Sequence, residues 1–114
     1  MDAEPLPALW AAPLAILAHG LGADPVFFFA NRAALAAFET DAEAIITMPS
    51  RLSAEPLARA ERQALLDEVS AKGFIDNYAG LRISAKGRRF PITKAVVWNL
   101  IDDAGQRHGQ AACF

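Results

Sequence analysis

Residues 24–39 read DPVFFFANRAALAAFE, and the pattern of this segment changes at Asn31. The aromatic run at 26–29 has no polar break, which is typical of a strand buried on at least one face. After Asn31 the segment is rich in alanine, and its large apolar residues, Leu35 and Phe38, have helical spacing. Asn31 suits the N-cap position because its side-chain oxygen can accept an amide hydrogen bond from the first helical turn. The segment therefore predicts a strand that passes directly into a helix, between a sheet and a helical layer.

Length and composition indicate one globular domain. The chain has 114 residues, of which 54% are apolar and 21% charged, and it shows no repeat or low-complexity tract. A chain of this length builds one hydrophobic core, and its apolar content argues against disorder. We predict a lead-in helix at 1–12, followed by a domain at 13–114.

Cysteine content and the N-terminus favour a reducing compartment, and we expect the cytoplasm. Cys113 is the single cysteine, which excludes an internal disulfide and a cysteine-based metal cluster. The first residues, MDAEPLP, lack the positive start of a secretory signal. The longest apolar stretch, 8–18, is interrupted by Pro13 and is shorter than the about 20 residues of a membrane-spanning helix. We therefore expect no membrane association.

Charge is unevenly distributed, but it does not predict nucleic-acid binding. Residues 1–50 carry six acids against Arg32 alone, whereas 51–114 carry ten basic and seven acidic residues. A nucleic-acid-binding surface needs a stronger basic patch. Four basic residues cluster at a Lys-Gly turn: Arg82, Lys86, Arg88 and Arg89. We interpret this cluster as the solvated tip of a hairpin.

Periodicity and turn residues predict two strands, several helices and three further strands. The strands are expected at 14–19, 26–29, 74–84, 88–101 and 106–114. A short helix at 6–12 should stop at Pro13, which lacks an amide donor. This order is typical of an α+β fold with a mostly antiparallel sheet and helices over one face.

Between the two groups of strands, polar residues mark the ends of the helices. The segment from Thr40 to Glu43 matches a capping box, with Thr40 as the N-cap. Ser53 suits the cap of the next helix, expected at 57–72 and ended by Gly73.

Two strands in the second group carry mixed patterns. In the first, Ile75, Ala79, Leu81 and Ile83 share one face, with Asp76, Tyr78, Arg82 and Ser84 on the other. In the second, Lys94 interrupts the alternation of Phe90, Ile92, Val96, Trp98 and Leu100. A bulge near Thr93 would instead turn Ala95, Val97 and Asn99 inward, and the sequence leaves both registers open.

Several stretches resemble a known family. The segment FFFANRAALAAF is similar to the second strand and following helix start of PAS domains. Four stretches resemble the MEKHLA domain, a PAS-related family: ILAHGLGADPVFFFANRAALAAFE, PSRLSAEP, GFIDNYAGLRISAKGRRFPI and VWNLIDDAGQRHGQAACF. The resemblance as a whole covers about residues 9–114. The resemblance implies a five-stranded antiparallel sheet used for sensing, ligand binding or protein association, and it implies no catalytic set. We expect no attached effector domain, so such a sensor would need a separate effector protein.

Reactive side chains form no catalytic or metal-binding motif. His19 and His108 lack the spacing of a zinc site, and we interpret both as structural or exposed. Flavin photochemistry of some PAS relatives would need a reactive cysteine in the helical layer, whereas Cys113 lies on the last predicted strand. No nucleophile-elbow pattern surrounds Ser50 or Ser53. The sequence identifies no cofactor, and we predict that the protein is not an enzyme.

Polar residues within apolar segments predict a small-molecule ligand. Buried polar groups must be hydrogen-bonded, so each is satisfied internally or available to a ligand. The polar candidates are Arg51, Asn77, Tyr78 and Asn99, with aromatic walls from Phe28, Phe38, Phe90 and Trp98. The main hypothesis is a non-catalytic sensory or ligand-binding module. The alternatives are a small hydrolase or isomerase with His19 or Asp76 as general base, and a purely structural dimerisation module.

The N-terminal segment predicts a homodimer. Leu6, Leu9 and Trp10 precede the first strand and have no obvious place in a core that later helices already cover. We expect them to pack across the sheet of a second copy, because two-fold association is the commonest arrangement of soluble oligomers. The alternative is that this helix folds back on its own sheet.

Overall fold

Residues 5–55 and 58–114 are described by a computed structural model, with side chains described for 8–55 and 58–114. Five strands form an antiparallel sheet of order β2-β1-β5-β4-β3: β1 (Ile16–His19), β2 (Phe27–Ala30), β3 (Phe74–Ile83), β4 (Arg89–Ile101) and β5 (Arg107–Cys113). The helices are α1 (Pro5–Ala11), α2 (Arg32–Ala37), α3 (Ala42–Ile45) and α4 (Arg59–Lys72), with a 3-10 turn at Ser50–Ser53. The predicted α+β fold with a five-stranded antiparallel sheet is confirmed. Within these described ranges, no helix is long and apolar enough to cross a membrane.

Asn31 is the N-cap of α2, as the sequence predicts. Its Oδ1 accepts hydrogen bonds from the amides of Ala34 at 3.0 Å and Ile16 at 2.9 Å. Its Nδ2 donates to the carbonyl oxygens of Leu9 and Leu14, each at 2.9 Å. The residue is 0% exposed, so all of its polar atoms are satisfied inside the protein. One side chain therefore joins α1, the start of β1 and α2.

The cap of α3 differs from the prediction. Asp41, and not Thr40, is the N-cap, since its carboxylate accepts a hydrogen bond from the amide of Ala44 at 2.8 Å. Asp is at least as good an N-cap as Thr, and it lies one residue closer to the first turn. The predicted capping box is therefore wrong by one position.

The start of α4 also differs. Ser53 belongs to the 3-10 turn and donates to the carbonyl oxygen of Ser50 at 2.7 Å, so it does not cap α4. The N-cap of α4 is Ala58, which makes no side-chain cap hydrogen bond. Leu57, the predicted first residue of this helix, lies outside the described residues.

A bulge in β3 changes which side chains of that strand face the helices. The register with β4 shifts between Ile75 and Tyr78, and Asn77 between them has a φ of 53°. Beyond the bulge Arg82 is only 9% exposed, whereas Leu81 is 55% exposed. The assignment of Arg82 to a solvated hairpin tip is therefore wrong, because the bulge turns it inward. The other three residues of that basic cluster are exposed.

A second bulge, in β4, decides the open register of that strand. Lys94 has a φ of 53°, and the pairing with β3 shifts at this point. Ile92, Ala95 and Val97 are buried, while Val96 remains exposed. The register with Ala95, Val97 and Asn99 inward is the one observed. Trp98 consequently points to the opposite face of the sheet.

The helices cover one face of the sheet and leave the other face exposed. On the covered face, one apolar cluster includes Phe27, Phe38 and Phe90, and a second joins Leu65, Leu66 and Val69 of α4 to Val97 of β4. On the other face Phe28 is 53% exposed and Phe74 is 58% exposed. Any internal site therefore lies on the covered face.

Candidate functional site

A cavity of about 50 Å³ lies between α4 and the covered face of the sheet. All five strands contribute to its lining, which is mainly apolar. The polar lining residues are His19, Ser53, Arg62, Arg82 and Gln110. A water molecule needs roughly 10–15 Å³ of such space, so this inner cavity has room for only a few heavy atoms.

A larger and more polar cleft of about 240 Å³ adjoins the inner cavity. It is formed by the β1–β2 loop at 20–25, by α4 and by the start of β5. Four residues line both spaces, and we call them the shared wall: His19, Arg62, Leu66 and Gln110. The shared wall therefore lies where the outer cleft meets the inner cavity.

The close approach of β5 to the end of β1 positions His19 in the shared wall. Gly109 has no side chain, and a Cβ atom there would overlap the carbonyl oxygen of His19. His19 pairs with the next residue, Gln110, across the two strands. This packing leaves His19 only 7% exposed.

The His19 imidazole has one satisfied nitrogen and one without a partner. Its Nδ1 donates to the carbonyl oxygen of Gly20 at 3.0 Å, which leaves Nε2 as the unprotonated acceptor of the neutral ring. Nε2 is buried and has no hydrogen-bond partner among the described residues. Burial lowers the pKa of His19 below its ordinary value of 6.5, and the charges of Arg62 and Arg107 lower it further. Ser50, which lines the outer cleft, also has a buried hydroxyl with no partner in the described ranges.

Two buried arginines line the inner cavity. Arg62 is 8% exposed, and burial first, then the charge of Arg82, lowers its pKa to about 10. The described ranges contain no carboxylate within 4.0 Å of the Arg62 or Arg82 guanidinium. Arg82 donates to the Leu81 carbonyl oxygen at 2.8 Å, and its guanidinium lies 5.6 Å from the centre of the Tyr78 ring. Among the described residues, the cavity therefore carries positive charge without a carboxylate in salt-bridge contact.

The amide side chains beside the cavity are satisfied. Gln110 Nε2 lies within 3.2 Å of three acceptors, namely the Leu66 carbonyl, the Ser70 hydroxyl and the Asn99 side-chain oxygen. Asn99 Nδ2 donates to the Val69 carbonyl oxygen at 3.1 Å. This network fixes α4 on β4 and β5.

The structure separates the four aromatic residues of the predicted ligand site. Phe38 lines the inner cavity, and Phe90 packs against it with ring centres 5.1 Å apart, behind the lining. Phe28 and Trp98 lie on the opposite face of the sheet, away from the cavity.

The four polar candidates are also dispersed. Asn99 takes part in the amide network described above, and Arg51 lies on the rim of the outer cleft, paired with Asp24 at 2.9 Å. Asn77 is exposed at the β3 bulge, and the Tyr78 hydroxyl donates to Glu61 at 3.2 Å. Of the eight predicted residues, Phe38 lines the inner cavity and Arg51 the outer cleft.

The residues named by the two alternative hypotheses differ in their exposure to solvent. Asp76, one of the two proposed general bases, is exposed on β3, whereas His19 is buried in the shared wall. Leu9 and Trp10 of the predicted dimer interface are exposed on α1, which packs beside α2. The side chain of Leu6 lies outside the described side chains.

Sequence reasoning missed Arg62 and Arg82 as cavity residues, although it had a signal for one of them. Arg62 precedes Leu65, Leu66 and Val69 by three, four and seven residues, so helical periodicity places it on the buried face of α4. For Arg82 no such signal exists, because its direction depends on the bulge at Asn77.

Cys113 lies on β5, outside the helical layer. Burial raises the pKa of its thiol, which disfavours the reactive thiolate. The described residues contain no group of three or more His, Cys, Asp or Glu side chains that could hold a metal ion.

Comparison with known proteins agrees with this architecture. The whole chain, residues 1–114, matches the family model of the MEKHLA domain. The homeobox-leucine zipper protein HOX29 of Oryza sativa subsp. japonica is 34% identical over 110 residues, which are 96% of this chain and 12% of that protein. The chain thus spans only about an eighth of the length of the curated relatives it matches.

Solved structures show the same fold at low sequence identity. A PAS domain from Colwellia psychrerythraea has a TM-score of 0.81 and 14% identity, covering 95% of this chain and 89% of that one. A light-oxygen-voltage domain studied with a flavin analogue has a TM-score of 0.77 and 15% identity, covering 99% and 84%. The chain belongs to the MEKHLA domain family and has the fold of PAS domains.

Proposed function

We propose that this domain is a non-catalytic module that binds a small molecule in the inner cavity and the adjoining cleft. The observation that carries the proposal is a pair of buried polar atoms, His19 Nε2 and Ser50 Oγ, which have no hydrogen-bond partner in the described part of the chain and belong to residues that line these spaces. Buried polar groups are normally satisfied, and an exception in a cavity wall is a ready contact for a ligand. The inner volume of about 50 Å³ favours a ligand of few heavy atoms.

A non-catalytic role has support in the same side chains. Nucleophilic catalysis needs a base hydrogen-bonded to the nucleophile, but His19 Nε2 and Ser50 Oγ make no hydrogen bond to each other. The other nitrogen of His19, Nδ1, donates a hydrogen bond to the backbone carbonyl of Gly20 and not to a carboxylate. Asp76 lies on an exposed position of β3. These arrangements favour a binding site over a hydrolase or isomerase.

Mass spectrometry of the extract from freshly purified protein, together with its absorption spectrum, tests the proposal. We expect a retained small molecule, or a metabolite that raises the melting temperature, because a ligand that binds only the folded state stabilises it. Ala112 lines the inner cavity, and Ala112→Leu should fill it and abolish both effects. Ala104→Leu, in an exposed turn, is the matched control. If wild type and Ala112→Leu both lack a retained molecule and respond identically to the metabolite panel, the proposal fails.

We also propose that the signal passes by association, through a homodimer and then to a separate effector protein. Leu9 and Trp10 on α1 and Phe28 and Phe74 on the uncovered sheet face form exposed apolar surface. Such surface on a small domain favours protein contacts. Because Cys113 is the single cysteine, a reducing compartment such as the cytoplasm is the location we propose.

Light scattering on a Leu9→Ser/Trp10→Ser variant tests the dimer. These changes keep the Leu9 carbonyl that Asn31 contacts, so they alter the surface without removing the structural hydrogen bond. We expect the wild type at dimer mass and the variant at monomer mass. Ile46→Ser, at another exposed apolar residue on the C-terminal cap of α3, should remain dimeric. Equal masses for wild type and double variant would contradict the proposed interface.

A further inference from the structure

We propose that the ligand of the inner cavity is a small carboxylate, which Arg62 binds from the shared wall while Arg82 faces it from β3. This inference rests on the proposed function and specifies the chemistry of its ligand. The chain would thereby respond to short-chain organic acids.

The charges in the lining point to an anion. Among the fifteen described lining residues of the inner cavity, Arg62 and Arg82 are the charged ones besides the titratable His19, and none is acidic. Both are more than nine-tenths buried. A buried charge is normally paired, since taking it out of water is costly.

Three of the exposed arginines of the same chain provide a contrast. Arg51, Arg88 and Arg89 pair with Asp24, Glu39 and Glu55 respectively. In the described ranges the two cavity arginines have no such partner, although burial makes them the ones that need it most. An external carboxylate would supply the missing counterion, and the planar guanidinium of arginine matches it with two parallel hydrogen bonds.

The lowered pKa of Arg62 is consistent with the lack of a carboxylate partner in the described ranges. Its pKa is lowered to about 10 by burial and by the neighbouring positive charge of Arg82. A bound anion would raise the pKa of Arg62 again, because it would stabilise the charged guanidinium. His19 adds no further positive charge, because burial lowers its pKa below 6.5 and the neutral ring is favoured at pH 7.

The size and polarity of the remaining lining define the rest of the ligand. Leu17, Leu65, Ile92 and Val97 offer apolar contacts, and about 50 Å³ accommodates roughly four heavy atoms without rearrangement of side chains. These dimensions fit acetate, which has four heavy atoms, whereas propionate with five and butyrate with six require side chains of the lining to move.

Thermal unfolding of the full chain with a panel of sodium salts tests the inference. The probes are acetate, propionate, butyrate and valerate, with the corresponding amides as neutral isosteres and sodium chloride as the ionic-strength control. We expect one or more acids to raise the melting temperature by about 5 °C at ten times its Kd, and the amides to have no effect. Arg62→Met should abolish the shift. Arg32→Met, at an exposed arginine at the start of α2, should retain it.

The outcomes separate this inference from the proposed function. If acids and amides stabilise equally, or if Arg62→Met keeps the full response, the cavity binds ligands but the carboxylate inference is overturned. If none of the four acids acts while a neutral metabolite binds wild type and not Ala112→Leu, the inference is overturned and the proposed function stands. If no compound raises the melting temperature of wild type more than that of Ala112→Leu, both the carboxylate inference and the proposed function are overturned.

Discussion

Asn31 and the shared wall are two buried polar regions of the same small domain, and they are satisfied to very different degrees. Every polar atom of the Asn31 side chain has a protein partner, through four hydrogen bonds of 2.9 to 3.0 Å. In the shared wall His19 Nε2 has no partner among the described residues, and Arg62 has no carboxylate there. Burial alone therefore does not show what a polar side chain is for.

The difference separates a structural role from a binding role. A satisfied buried amide stabilises the fold and specifies one arrangement of the chain. An unsatisfied buried group costs stability in the free protein, and it gains a partner only when something else occupies the cavity. The two regions should consequently respond in opposite directions when their polar side chains are removed.

Asn31→Ala should produce the largest loss of stability. The change removes a hydrogen bond from four backbone groups, in Leu9, Leu14, Ile16 and Ala34, of which the Ala34 bond is buried and the other three are partly buried. We expect a loss of about 4 kcal/mol in the free energy of unfolding, measured by urea denaturation.

Asp41→Ala is the matched control for Asn31. It also removes an N-cap, but the Asp41 hydrogen bond to Ala44 is exposed. We expect a loss of about 1 kcal/mol. Equal losses for the two variants would show that Asn31 is only a helix cap and not a link between three elements.

Gly109→Ala should produce the next largest effect. The added methyl group would overlap the carbonyl oxygen of His19 and force β5 away from the end of β1. We expect about 2 kcal/mol of destabilisation in urea. Gly20→Ala is the control, since a Cβ atom at Gly20 meets nothing within 4 Å. A Gly109→Ala variant as stable as Gly20→Ala would contradict the close approach that builds the shared wall.

Arg62→Met should change the stability of the ligand-free protein in the direction opposite to Asn31→Ala. Methionine keeps a long apolar side chain and removes a buried charge that has no carboxylate partner in the described ranges. We expect stability in urea to remain equal or to rise by about 1 kcal/mol. A loss comparable to that of Asn31→Ala would place Arg62 among the structural residues instead.

The smallest effect we expect is a pH dependence due to His19. Its pKa is lowered in the folded state, so as the pH falls through 6.5 the unfolded chain binds a proton before the folded one does. Stability is therefore fully present above pH 6.5 and decreases toward the folded pKa. The free energy of unfolding of wild type should fall between pH 7.5 and 5.5, and that of His19→Gln should fall less.

His108→Gln controls for the other histidine, which is exposed on β5. The carboxyl groups of Glu39, Glu55 and Asp102 have lowered pKa values, so they titrate below this pH range. If the free energy of unfolding falls equally with pH in His19→Gln and in wild type, His19 does not contribute to the loss of stability between pH 7.5 and 5.5.

The sequence alone determined the class of the fold and the junction at Asn31, because both depend on neighbouring residues. The aromatic run, the Asn31 cap and the spacing of Leu35 and Phe38 lie within one short segment, where local propensity and hydrogen bonding act directly. The C-terminal end of α4 at Lys72, with Gly73 as its cap, was predictable for the same reason. Helical periodicity in α4 also predicts that Arg62 lies on the buried face of that helix.

Only the tertiary structure decided which side chains of β3 and β4 face the cavity. Asn77 and Lys94 both adopt a left-handed backbone conformation that strand pairing imposes, and each bulge reverses the side-chain alternation of its own strand from that point on. This reversal turns Arg82 inward, leaves Leu81 exposed and sends Trp98 to the uncovered face. An alternating pattern cannot locate such a shift, because both registers bury some apolar residues and the choice depends on pairing with a strand elsewhere in the chain.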